Sequence, residues 1–303
     1  MKKIIFALMI LTLSIDVHAL TKNEKAFIEA AENGDIETVR YLINSEVDID
    51  AQDQEGNTAL MLASQNGYFD IVKLLVDNGA YIDIKNKYGI TAIDYSRNSE
   101  ILKLFMDIAP YYILNNKEIL IYQSNFDNEE NVKILLNNGI DVNYIGPYGT
   151  TAIILARSIE IVKILIDAGA NINMQDNNGN TILMNVSARG QSDILELLLE
   201  HGANINIKDK YGRTAFTYAV SAGNDNIIKI LLKNGYNINT QNNNDGNTAL
   251  SIAVLSGNSS TVKILLDYGA DTTIRNNDGE TAIDIAKKEK NYEIIGILEH
   301  YRK

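Results

Sequence analysis

A Gly-x-Thr triplet followed by small and aliphatic residues recurs seven times, and this recurrence limits what the chain can fold into more than any other feature. It reads Gly56-Asn57-Thr58-Ala59-Leu60, Gly89-Ile90-Thr91-Ala92-Ile93, Gly149-Thr150-Thr151-Ala152-Ile153, Gly179-Asn180-Thr181-Ile182-Leu183, Gly212-Arg213-Thr214-Ala215-Phe216, Gly246-Asn247-Thr248-Ala249-Leu250 and Gly279-Glu280-Thr281-Ala282-Ile283. The threonines therefore stand at positions 58, 91, 151, 181, 214, 248 and 281, evenly spaced but for one interval of nearly double length. A period of this size marks a stack of small supersecondary units, none of which can bury its apolar face alone. The long interval, from Thr91 to Thr151, holds one more unit. Aligning Glu130-Asn131-Val132-Lys133-Ile134-Leu135 with Asp70-Ile71-Val72-Lys73-Leu74-Leu75 puts that unit's threonine position at Glu118. Stepping back one period from Thr58 reaches Lys25, where Ala26, Phe27, Ala30 and Gly34 match Ala59, Leu60, Ala63 and Gly67. About nine units result, with approximate bounds 20–53, 54–86, 87–114, 115–146, 147–176, 177–209, 210–243, 244–276 and 277–303. The length of 303 residues would by itself suggest two ordinary domains. The period replaces them with one array over 20–303.

Each unit has the grammar of two helices and a turn. Thr58 is suited to cap a first helix, and Ala59, Leu60 and Ala63 then share one face. Gly67 breaks that helix, and Asp70 sits near the start of a second one, where its charge favours the positive end of the dipole. The second helix buries Ile71, Val72, Leu74 and Leu75 and stops at Asn78-Gly79, a stop repeated at Gly139, Gly169, Gly202, Gly235 and Gly269. Short stretches such as Ala203-Asn204-Ile205-Asn206-Ile207-Lys208-Asp209 suit an extended arm ending in a turn.

These residues resemble the ankyrin repeat over essentially the whole chain after residue 19. Leu74-Leu75-Val76-Asp77-Asn78-Gly79-Ala80, Leu165-Ile166-Asp167-Ala168-Gly169-Ala170-Asn171-Ile172-Asn173 and Leu265-Leu266-Asp267-Tyr268-Gly269-Ala270 follow the family's L-L-x-x-G-A stop and D-V-N loop. The resemblance implies an all-α repeat solenoid of helix-turn-helix units joined by β-turn or hairpin loops. It also implies protein binding through the concave face and turn tips, without catalysis or a cofactor. The chain departs from the family at the helix start. Alanine or isoleucine replaces the family's proline, and its histidine position holds Met61, Asp94, Ile154, Met184, Thr217, Ser251 and Asp284. Thr91 with Asp94, and Thr281 with Asp284, can form capping boxes instead.

Composition narrows the chemistry. The absence of cysteine excludes disulfides, thiolate metal sites and a cysteine nucleophile, and two prolines exclude a proline-rich rod. A net charge of −12, from 27 basic and 39 acidic residues, makes nucleic acid an unfavourable partner. No H-E-x-x-H, Walker loop, G-x-S-x-G or calcium loop is present, and His201 reads as a helix-end cap. No cofactor and no metal are expected.

Residues 1–19 read as a secretory signal peptide: Lys2 and Lys3, an apolar run from Ile4 to Leu13, then Val17-His18-Ala19 as a cleavage site. The run is too short to span a bilayer core of about 30 Å. Removing Lys2, Lys3 and Asp16 leaves 25 basic and 38 acidic residues, a net of −13. The expected product is a bacterial-type, exported ankyrin-repeat protein, periplasmic or secreted, with no membrane span and monomeric in isolation. Its partner is expected to be a protein. A secreted effector that binds host proteins and a protective or inhibitory partner of an envelope enzyme share the same physics.

The candidate partner-binding residues are those at the turn tips, where such repeats vary most: Lys87, Tyr88, Tyr148, Asn177, Asn178, Lys210, Tyr211, Arg213, Asn244 and Asp245. Tyr88, Tyr148 and Tyr211 share one register position, just before the turn glycine. Tyrosine there serves either recognition, for which it offers large area at low entropy cost, or packing on the adjacent turn. Lys73, Lys103, Lys133, Lys163, Lys229 and Lys263 form a basic series on the second helices, read as a solvated face with i,i+3 ion pairs to acids such as Asp70, Glu100, Glu130 and Glu160. Finally, Ile101 follows Thr91, and Ile161 follows Thr151, three positions sooner than Ile71 follows Thr58. The helix-to-helix turns of the third and fifth units are therefore expected to be three residues short. The third unit also lacks a Gly-Ala stop, offering Ile108-Ala109-Pro110-Tyr111-Tyr112. Residues 87–150 are expected to form either the weakest interface, with altered curvature, or a place where another contact compensates.

Overall fold

The computed structural model describes residues 20–301, so the leader expected at 1–19 lies outside the described residues. Among those residues there are eighteen helices, one 3-10 turn at Pro147–Gly149, no strand, and a single isolated bridge between Gln52 and Thr58. The inter-unit arms are therefore turns and loops. The described residues divide into two compact units, the first ending at residue 95 and the second beginning at residue 96.

The first unit holds α1 (Lys22–Asn33), α2 (Ile36–Asn44), α3 (Ala59–Asn66) and α4 (Phe69–Asp77). α1 packs on α2 and α3, and α4 packs on α2 and α3. The start of α3 follows the expected chemistry: Thr58 is extended at φ −92°, and its hydroxyl accepts from the amide of Met61 at 3.3 Å. Gly67 ends the helix at φ 78°, a left-handed conformation that a side chain would strain. Ala59, Leu60 and Ala63 are fully buried, and Ile71, Val72 and Leu75 of α4 are at most 2% exposed. Each of the Leu, Ile and Val side chains contributes about 1.5–3 kcal/mol by burial. α1 starts one turn earlier than the repeat register predicts. Thr21, not Lys25, is its cap, in a capping box with Glu24.

In the second unit, α5 (Ser99–Ile108), α6 (Pro110–Asn115), α7 (Ile119–Asn125) and α8 (Glu129–Asn137) are followed by α9 (Ala152–Leu155) and α10 (Ile159–Asp167). The pairs α11 (Ile182–Arg189) and α12 (Ser192–Glu200), α13 (Ala215–Ala222) and α14 (Asp225–Lys233), α15 (Ala249–Leu255) and α16 (Ser259–Asp267), and α17 (Ala282–Lys288) and α18 (Tyr292–Tyr301) complete it. First helices stack in the order α7, α9, α11, α13, α15, α17, and second helices in the order α8, α10, α12, α14, α16, α18. Thr214 with Thr217 and Thr281 with Asp284 form capping boxes. The Ala that usually follows the stop glycine is Tyr236 in the α14 loop. Its buried ring stacks on Phe216 at 4.3 Å, and its hydroxyl pairs with the cap hydroxyl of Thr214 at 2.9 Å.

The three missing residues are not taken from the turns. α9 has only four residues where α11 has eight, and residues 92–95 make a turn in place of a first helix. Dropping about one helical turn of 3.6 residues preserves the face that the remaining residues present. Ala156, extended at ψ 140°, then leads directly to Ser158, the cap of α10. The capping pattern outlives the helix: Asp94 accepts from the amide and hydroxyl of Thr91 at 2.9 and 2.8 Å. Glu118 precedes α7 without a capping bond, as the sequence predicts. Other contacts act there. The buried Asn131 donates to the carbonyl of Ser96 at 2.7 Å and to Gln123 at 2.9 Å, and the Arg97 guanidinium lies 5.1 Å from the Phe126 ring centre.

The lysine series pairs differently from the i,i+3 expectation. Lys73 meets Asp77 at 3.5 Å, Lys133 meets Glu129 at 3.6 Å, and Lys103 meets Glu130 of α8 at 3.8 Å. Residues four apart are offset by only about 40° around a helix against about 60° for three, which favours the first two contacts. All six side chains are about half exposed, so these pairs contribute little.

Candidate functional site

Six of the seven turn tips are built on an Asx bracket; the tip before Thr151 has Gly146 in place of the Asx residue and is a 3-10 turn closed by backbone bonds from Gly146 to Thr150 at 2.8 Å and from Gly149 to Gly146 at 3.2 Å. In the regular bracketed tips an Asp or Asn stands five residues before the threonine, and its Oδ1 accepts two backbone amides of the turn. Asp53 takes Glu55 and Asn57, Asn86 takes Tyr88 and Ile90, Asp176 takes Asn178 and Asn180, and Asp209 takes Tyr211 and Arg213, all at 2.7–3.0 Å. Asn242 does the same one residue further back, where the turn carries an insertion. Successive tips are also tied by backbone bonds, Lys87 to Glu55 at 3.0 Å in the first unit and, in the second, Asn177 to Tyr148 at 2.8 Å, Lys210 to Asn178 at 2.9 Å and Asn277 to Asp245 at 2.9 Å. Where a following tip packs against it, the turn glycine has no room: a Cβ on Gly212 would stand 2.5 Å from the amide nitrogen of Asn243, whereas one on Gly89 or Gly279 meets nothing within 4 Å. The backbone is thereby fixed while the intervening side chains point to solvent.

The ten residues singled out from sequence fall on these tips as follows. In the first unit Lys87 is exposed, and Tyr88, 68% exposed, donates its hydroxyl to Glu55 at 2.7 Å, a contact that raises the tyrosine's pKa. In the second unit Tyr148 is 82% exposed and left-handed at φ 61°. Asn177, Asn178, Asn244 and Asp245 are exposed, with their backbones engaged in the brackets and the tip-to-tip bonds. Lys210 is exposed beside Tyr211, which is 55% exposed, and Arg213 is half-buried. The structure thus brings Lys210, Tyr211 and Arg213 into one turn, next to Asn177 and Asn178 of the preceding tip.

Around Arg213 lies the most elaborate of these arrangements. Its Nε donates to Asp209 Oδ2 at 2.8 Å, and its guanidinium carbon sits 4.8 Å from the ring centre of Tyr211 and 4.7 Å from that of Tyr218. Tyr218 donates its hydroxyl to Asp209 at 2.9 Å, and Asn180 Oδ1, at 3.1 Å, is the alternative acceptor for the same proton. Burial pushes Asp209 upward, but the Arg213 amide and guanidinium, the Tyr218 hydroxyl and the Tyr211 amide outweigh it and hold the carboxyl below its ordinary value. Burial and the adjacent Asp209 push Tyr218 up to about 12. Asp209 and Tyr218 escape a reading that stops at the exposed tip. Their signal is the recurrent Asp or Asn five residues before the threonine, together with a tyrosine four residues after it, at Tyr95 and Tyr218.

Among the described residues no group of three or more His, Asp or Glu side chains is placed to hold a metal ion, and no helix is long and apolar enough to cross a membrane. His201 caps α12, its Nδ1 bonding the carbonyl of Leu197 at 2.8 Å. Helix pairs stacked like on like, each carrying a rigid tip with unlike side chains, define a repeat scaffold that presents a variable surface. The chain belongs to the ankyrin-repeat family. The family model for ankyrin repeats in three copies matches residues 2–86, 90–176 and 156–242, and that for many copies matches 231–286. Among solved structures, the crystal structure of the ankyrin repeat protein EF0377 is 34% identical, with a TM-score of 0.56, and the match covers 60% of this chain and 96% of that one. No curated protein matches. Ankyrin repeats in general mediate protein–protein interaction and are typically non-enzymatic scaffolds.

Proposed function

We propose that this chain is an exported, bacterial-type adaptor, monomeric by itself, that binds a protein partner through its turn tips. The observation that carries the reading is the division of labour at those tips. Asx brackets hold the tips of Tyr88 and Tyr211 and backbone bonds hold that of Tyr148, while the three tyrosines, at 88, 148 and 211, keep 68%, 82% and 55% of their surface in solvent. Large aromatic area on a rigid support favours binding, because little entropy is lost when the partner docks. The leader residues Lys2, Lys3, Ile4–Leu13 and Val17-His18-Ala19 support export to the periplasm or the medium.

A photo-crosslinking amino acid at position 148 tests binding, with position 163, on a second helix, as the control. A discrete crosslinked protein is expected from 148 and none from 163. Equal labelling from both positions, or none from 148, contradicts the proposal. N-terminal sequencing of the product, with fractionation of cells from medium, tests export: the expected mature terminus is Leu20.

A further inference from the structure

We infer that Arg213, clamped between Tyr211 and Tyr218, anchors a carboxylate-binding site that takes an Asp or Glu side chain of a protein partner. This rests on the interaction reading and names the chemistry that one tip recognises.

The turn itself does not require an arginine. At the position of Arg213 the second and sixth tips carry Asn57 and Asn180, whose Nδ2 atoms donate to Asp53 and Asp176 at 3.2 and 3.0 Å. An asparagine therefore satisfies the second carboxylate oxygen of the bracket. The third tip shows that even the charge is dispensable. Lys85-Asn86-Lys87-Tyr88-Gly89-Ile90-Thr91 parallels Lys208-Asp209-Lys210-Tyr211-Gly212-Arg213-Thr214, with Asn and Ile where the seventh tip has Asp and Arg. Asn86 still brackets its turn and still reaches a tyrosine, Tyr95, at 3.3 Å. The guanidinium thus exceeds the structural requirement.

What it adds is a directed pair of donors. Arg213 bonds Asp209 through Nε alone, and neither terminal nitrogen bonds another described residue. The rings of Tyr211 and Tyr218 lie 4.8 and 4.7 Å from the guanidinium's central carbon, and the side chain keeps 43% exposure. A stacked, oriented guanidinium with both terminal nitrogens available matches the planar fork of a carboxylate. The surroundings reinforce this preference. Residues 208–213 carry Lys208, Lys210 and Arg213 against Asp209 alone, a local excess of positive charge in a chain of net −12. Lys208 is held toward the next tip by Asn243 at 2.9 Å, while Lys210 is exposed. The preceding tip's Asp176 is engaged on both oxygens by Asn178 and Asn180. Charge complementarity here selects acidic segments, and Tyr211 offers apolar contact beside the acid.

The test uses the variant that the fold itself supplies. Arg213→Asn reproduces the pairing of Asn57 and Asn180, so the turn keeps its bracket. A phage-displayed library of random twelve-residue peptides is selected in parallel on the chain and on Arg213→Asn, and enriched peptides are resynthesised with each Asp or Glu replaced by its amide. The expected result is enrichment of an acidic residue at a fixed place on the parent chain, at least tenfold weaker binding of the amide peptide, and loss of that preference in Arg213→Asn with an unchanged melting midpoint. Peptides enriched without a carboxylate preference, or equally by both chains, overturn the carboxylate site and leave the interaction reading standing. Failure of both chains to enrich any peptide overturns both. Should Arg213→Asn melt early, Tyr211→Ala, which removes one face of the clamp and keeps the Asp209 pair, must weaken the acidic peptide at least threefold; unchanged binding there also overturns the site.

Discussion

Replacing Asp209 by alanine removes the acceptor on which the seventh tip converges. Four donors reach this carboxylate: the amides of Tyr211 and Arg213 and the Nε of Arg213 at 2.8 Å each, and the Tyr218 hydroxyl at 2.9 Å. At a net of about 0.5–1.5 kcal/mol per bond the gross loss is roughly 2–6 kcal/mol. Two features reduce it. Arg213 keeps 43% exposure and can rehydrate, and Tyr218 retains Asn180 at 3.1 Å. An expected destabilisation of about 2–3 kcal/mol remains, concentrated in the seventh tip because repeat stability is a sum of local and nearest-neighbour terms. Asp209→Asn keeps Oδ1 for the two amides and turns a donor toward Arg213, so it should cost less, about 1–2 kcal/mol. Combining it with Arg213→Ile rebuilds the pair found at Asn86 and Ile90, and that double variant should be more stable than the two single losses predict, with a coupling of at least about 1 kcal/mol. Hydrogen exchange of peptides covering residues 207–223, read with the urea midpoint, compares Asp209→Ala, Asp209→Asn, Arg213→Ile and the double variant with the parent chain. The reasoning is refuted if Asp209→Ala costs no more than Asp193→Ala on the α12 surface, or if the double-variant losses simply add.

Three further outcomes follow from the same geometry. A Cβ on Gly179 would stand 2.8 Å from the Cα of Asp209 whereas one on Gly202 meets nothing within 4 Å, both glycines being left-handed; Gly179→Ala should therefore cost about 1–3 kcal/mol more than Gly202→Ala in urea melts. The Asp209 carboxyl titrates below its unfolded value of 3.8, so its contribution to stability is complete above that pH and is lost as the pH falls through the lower folded value; Asp209→Asn should flatten the acid limb of a stability–pH profile below about pH 4, and an unchanged limb would contradict the network. Tyr236→Phe removes the hydroxyl's contacts with Thr214 and Thr240 and should cost about 1 kcal/mol, while Tyr236→Ala also empties the space against Phe216 and should cost about 3–5 kcal/mol; equal losses in thermal melts would show that the ring does not pack as described.

Local rules explain why so much of the scaffold could be read from the chain. Thr58, Thr214 and Thr281 cap helices because a hydroxyl one residue before an apolar face meets the first free amides, and Gly67 stops one because its left-handed geometry excludes a side chain. Features outside the period were harder to read. Thr21 lies four residues before the register position at Lys25, so counting by the period passes over it. Spacing reports that three residues are missing before Ile101 and Ile161 but not which element yields them; a whole helical turn is lost because that keeps the apolar face in phase. The clamp on Arg213 depends on Asp209 and Tyr218, nine residues apart, which meet only once the turn folds back against α13. Tyr236 escapes because its position ordinarily holds an alanine.

The claim that recognition at the tips is separable from the fold is tested most directly by changing Tyr88, Tyr148 and Tyr211 together to alanine and measuring the melting midpoint alongside crosslinking of the partner from position 178. With the side chains 68%, 82% and 55% exposed, the expected result is a midpoint lowered by no more than about 4 °C and loss of the crosslinked partner. A midpoint lowered by about 10 °C or more, or a partner captured as strongly as before, would contradict it.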